Sequence, residues 1–62
     1  MSNENTIKAI ETSYYQIALN EVNGGYIVRH SVLGTDHATM LIRDYKTASF
    51  IFDNYLKELE GA

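Results

Sequence analysis

From Ser13 to Glu21 apolar and polar residues alternate, with Tyr15, Ile17 and Leu19 on one side and Tyr14, Gln16, Ala18 and Asn20 on the other. A period of two is that of a strand with one buried face. Val22-Asn23-Gly24-Gly25 follows. Asn-Gly between two alternating runs is a strong hairpin signal, because both central residues of a type I′ turn need positive φ. A loop of Asn23 and Gly24 sets Leu19 opposite Val28, Ile17 opposite His30 and Tyr15 opposite Val32, so the apolar faces match.

A second turn around Gly34-Thr35-Asp36 leads into Ala38–Arg43, whose alternation groups Ala38, Met40 and Ile42. If the core face continues across the sheet, Val32 pairs with Met40 and His30 with Ile42, around a loop of Thr35, Asp36 and His37. Farther on, Ala48, Ile51, Phe52, Tyr55, Leu56 and Leu59 follow one helical face, with Asp53, Asn54, Lys57 and Glu58 on the other. Asp44 or Thr47 supplies the N-cap, and Gly61 closes the pattern. Ile7 and Ile10 lie three apart, which suits a helical turn.

The expected fold class is therefore α+β, a three-stranded antiparallel β-meander with a C-terminal α-helix packed on one face. Strands are placed near 13–22, 25–34 and 38–44 and the helix near 46–60, lying across the face of Tyr15, Ile17 and Leu19. An N-terminal segment over 1–12, frayed or a short helix, precedes a single β-β-β-α domain over 13–62. The expected core is Ile17, Leu19, Val28, Met40, Ile42, Phe52, Tyr55, Leu56 and Leu59.

With 62 residues and no cysteine, the chain has neither a disulfide framework nor a thiolate metal site to reinforce a small core, so a partner or second copy becomes a natural source of stability. Its 45% apolar content and five tyrosines argue against disorder. No apolar run approaches the roughly 18 residues of a membrane span. Met1-Ser2-Asn3-Glu4-Asn5 lacks a basic, apolar leader, and the expected location is cytoplasmic. A net charge of −3 weighs against nonspecific nucleic-acid binding and is small for a DNA mimic.

The candidate chemistry separates on a strand. Ser31 and His30 are neighbours and so point to opposite faces, which rules out a nucleophile–base hydrogen bond between them. A metal site from His37, Asp36 and His30 would need His30 to reach round from the core face. Gly24-Gly25 joins two strands, whereas a phosphate loop joins a strand to a helix. No catalytic residue, metal ligand or cofactor is assigned, and the expectation is a protein that is not an enzyme.

The outer sheet face is more telling, since Tyr14, Ala18, Ile27, Leu33, Leu41 and Tyr45 are assigned to it beside Gln16, Ser31 and Thr39. Either Ile7 and Ile10 cover that face or a partner does. In the same register Arg29 falls opposite Arg43, a like-charge pair that Glu11, an acidic partner or a phosphate would offset, unless the register differs or the side chains splay into solvent. Phe50 departs from the helix stripe and is an interface anchor candidate.

Tyr15-Gln16-Ile17-Ala18-Leu19 and Gly25-Tyr26-Ile27-Val28, with a third strand and a helix, loosely resemble the opening half of the WGR module. The tryptophan-glycine-arginine signature is absent, with Val32-Leu33-Gly34 near its place, so neither function nor site residues carry over. The expected function is a small protein-interaction domain, a homodimer, that binds or inhibits a larger macromolecule through Tyr14, Ile27, Arg29, Leu41, Arg43, Tyr45 and Phe50. Size and mild acidity would suit a phage or mobile-element inhibitor of a bacterial enzyme. The alternative is a nucleic-acid-binding module with Arg29, Arg43 and Lys46 on phosphates and Tyr14 or Tyr45 stacked on bases.

Overall fold

In a computed structural model describing residues 4–61, the strands β1 (Asn5–Glu11), β2 (Tyr15–Val22), β3 (Gly25–Val32) and β4 (Thr35–Ala38) form one antiparallel sheet in chain order. The helix α1 (Tyr45–Gly61) packs on one face of it, against β2 and β3. The class is α+β as expected, with four strands where three were expected. Expectations for residues 1–3 and 62 lie outside the described residues.

The central hairpin follows its apolar pattern, with Leu19 opposite Val28, Ile17 opposite His30 and Tyr15 opposite Val32. Its turn differs in detail. Gly24 takes φ 90° and Asn23 does not take a positive φ, so the left-handed position falls on the glycine alone. Ile17, Leu19 and Val28 are fully buried against Ala48 and Phe52 of α1, with Ile42 beside them and Tyr55, Leu56 and Leu59 packed around the edge. Each fully buried aliphatic side chain there contributes about 2 kcal/mol.

The N-terminal segment is a strand, which corrects the helical expectation. A bulge between Thr6 and Lys8 adds Ile7 as an extra residue, after which Lys8 pairs with Leu19, Ala9 with Ala18 and Ile10 with Ile17. Lys8 and Ile10 therefore share the helix side of the sheet. The Lys8 ammonium donates to Ser49 Oγ at 3.1 Å, lies 3.8 Å from an Asp53 carboxylate oxygen and sits 4.7 Å from the centre of the Phe52 ring, fastening β1 to α1. β1 thus extends the sheet beside β2 in place of folding over its outer face.

The second hairpin is also corrected. Its loop is Leu33-Gly34, not Thr35-Asp36-His37, and the pairs are Val32 with Thr35, Ser31 with Asp36, His30 with His37 and Arg29 with Ala38. Thr39 still bonds Val28, but the next paired residue is Ile42, opposite Tyr26. Met40 and Leu41 bulge out of the ladder, which leaves Met40 88% exposed rather than in the core and turns Ile42 inward. Arg29 accordingly does not face Arg43.

Asp44 is the N-cap. Its carboxylate accepts from the Thr47 amide and the Thr47 hydroxyl, both at 2.8 Å, and its carbonyl accepts from Ala48 N–H. These bonds hold the Asp44 carboxyl below its ordinary pKa. Among the described residues no helix is long and apolar enough to cross a membrane.

Candidate functional site

The meander brings two loops to one end of the sheet, Thr12-Ser13-Tyr14 between β1 and β2 and Leu33-Gly34 between β3 and β4. Thr12 organises the first loop. Its hydroxyl oxygen accepts from the amides of Tyr14 and Tyr15 at 3.1 Å, and its own amide donates to the Tyr15 carbonyl at 2.8 Å. The Tyr14 carbonyl then accepts from Leu33 N–H at 3.2 Å, tying the two loops together.

Leu33 and Gly34 both take positive φ, 51° and 84°, the requirement of a type I′ turn. Asn, Asp and Gly serve that position well, whereas a leucine in the left-handed region is strained by about 1–2 kcal/mol. The same Leu33 is 81% exposed and its neighbour Tyr14 is 70% exposed. A groove of about 470 Å³, lined mainly by apolar atoms, lies beside them, formed by Tyr15, Val32 and Leu59 together with Thr12, Tyr14, Leu33 and Glu60.

The expected partner-binding residues do not form one surface. Tyr14 is at the hairpin tips. Ile27 and Arg29 lie on the outer sheet face, where Ile27 is half-buried opposite Asn20. Arg29 donates from Nε and Nη2 to the Glu4 carboxylate at 2.6 and 3.2 Å, and Asn20 Nδ2 donates to the same group at 3.0 Å. The Arg29 bond, followed by that from Asn20, holds the Glu4 carboxyl below the usual range. The counter-charge for Arg29 is thus Glu4, not Glu11. Leu41 and Tyr45 sit at the other end of the sheet, Leu41 against Gly24 and Gly25 and Tyr45 edge-on to Tyr26 with ring centres 5.7 Å apart. Arg43 is exposed beside Ile42, and Phe50 is exposed on α1.

The outer face itself is floored by small side chains and carries both apolar and polar groups. A shallow trough of about 380 Å³ runs over it, lined by Ala9, Ala18, Ser31, Gln16, Glu11, Arg29 and Asp36 among others. Leu33, Leu41 and Tyr45, expected there, belong to the loop tip, the connector and the helix start.

On the helix side, the register of β4 stacks His37 on His30 with ring centres 5.0 Å apart, and Tyr55 lies on His30 at 4.6 Å. Burial, with help from His37, pushes the His30 pKa down, while Glu58 pulls it up. Asp36 pairs with Ser31 on the opposite face, so the two histidines meet without that carboxylate. No cluster of three or more metal-ligating side chains occurs among the described residues.

Comparison with protein-family models, curated proteins and solved structures finds no match.

Proposed function

We propose that this domain is a non-enzymatic protein-binding module that engages a larger protein through its hairpin tips, with Tyr14 and Leu33 as anchors. The observation that carries this is Leu33, an apolar side chain in water on a backbone position that disfavours it. Strain of this kind persists where surrounding structure enforces it, and it clusters at functional sites. Tyr14 adds a large amphipathic ring of the type enriched at binding hot spots, and the adjacent groove offers a pocket for a partner side chain. If the tips seat on the active site of an enzyme, binding is inhibition.

A nucleic-acid reading draws no comparable support. Arg29 is occupied by Glu4, and Tyr14 lies at the opposite end of the sheet from Arg43, Tyr45 and Lys46, so the residues expected to meet phosphates and bases are divided between separate places.

The test is Leu33→Asn, which installs the favoured Asn-Gly turn and removes the exposed leucine. Its stability should rise by about 1 kcal/mol, while capture of the partner from the native host falls about 30-fold, the weight of an interface hot spot. Phe50→Ala, on a different surface, should retain capture. Undiminished capture by Leu33→Asn overturns the proposal.

A further inference from the structure

The end of α1 that borders the groove is electrostatically the wrong way round. Its last turn has no basic residue and holds Glu58 and Glu60, although a helix C-terminus carries about half a negative charge and favours cations. Glu60 lines the groove next to Leu59 and makes no ion pair among the described residues. The groove therefore joins apolar walls to a carboxylate, Glu60, on its rim.

Resting on the proposed role of the hairpin tips, we infer that the partner presents a segment combining an apolar side chain with an adjacent lysine or arginine. The apolar group enters between Tyr14, Leu33 and Leu59, and the cation meets the Glu60 carboxylate. One such segment covers the exposed Leu33 and supplies a counter-charge to Glu60. An acidic segment is repelled by the same rim and by the net charge of −3.

Selection of a random peptide library on the immobilised full chain tests this. The enriched peptides should carry an apolar residue flanked by Lys or Arg, and a synthesised representative should bind more weakly as salt rises. Its affinity should fall about tenfold or more in Leu33→Asn and about tenfold in Glu60→Lys. Glu60 is exposed and at the negative helix end, so Glu60→Lys should fold at least as well as the parent and its loss of binding reports charge. Enriched peptides without basic residues that still depend on Leu33 overturn the charge preference and leave the hairpin-tip role standing. Peptides indifferent to Leu33→Asn overturn both, and the absence of any enrichment overturns the inference.

Discussion

Gly25 shows how one absent methyl group fixes the path of a connector. A Cβ at this position would collide with the Ile42 carbonyl oxygen and stand 3.1 Å from a Leu41 methyl carbon, so the backbone pairing of Tyr26 with Ile42 depends on the glycine. Gly25→Ala should cost about 1–3 kcal/mol, the usual scale of overpacking, read as a lower urea midpoint. An unchanged midpoint would mean that the segment carrying Ile42 relaxes freely. Leu33 shows the limit of reading single residues. Its turn was hidden in the sequence because leucine is not a residue of positive φ, and the polar run Gly34-Thr35-Asp36 drew the loop two residues too far along. Tyr14 was expected on the surface and is exposed, whereas the groove lined by Leu59 and Glu60 depends on where the helix lies against two loops.

At the scale of elements, the Asn23-Gly24 hairpin and α1 were legible because each has a long, regular apolar period and a clear boundary residue. β1 was not, since Ile7 and Ile10 lie three apart across its bulge and its inward position 8 is a lysine whose ammonium lies over the Phe52 ring. β4 was misplaced because only four residues form it, and their pairing follows from a turn with no sequence signal. The pairing has a consequence for pH. His30 faces His37 from β4, Tyr55 from α1 and the nearby Glu58, and its pKa in the fold lies below the ordinary value near 6.5. The unfolded chain thus takes up the proton first, so stability is full above about 6.5 and is lost as pH falls toward the lower folded value. Glu4 and Asp44, also depressed, act separately, since their contribution is present above the carboxylate range and is lost only in stronger acid. Urea midpoints measured between neutral and mildly acidic pH should decline in the parent and decline less in His30→Phe. Equal slopes would show that the histidine stack does not govern the acid limb.

At the scale of the molecule, the exposed large apolar side chains among the described residues are dispersed, with Tyr14 and Leu33 at one end, Met40, Leu41 and Tyr45 in the connector and helix start, Ile7 and Ile10 on β1, and Phe50 on the helix. Only the first group combines strain, exposure and a groove. The outer sheet face is floored by small side chains and has Arg29 matched to Glu4, while Leu33, Leu41 and Tyr45, expected on it, lie elsewhere. Site-specific photocrosslinking inside the native host tests the central claim most directly, with a photoreactive amino acid placed in turn at Tyr14, Leu41 and Phe50. The account predicts a discrete crosslinked species from position 14, at a mass exceeding two copies of this chain, which disappears when Leu33→Asn is introduced. Crosslinks from position 41 or 50 alone, or a position 14 product with the mass of two copies, would contradict it.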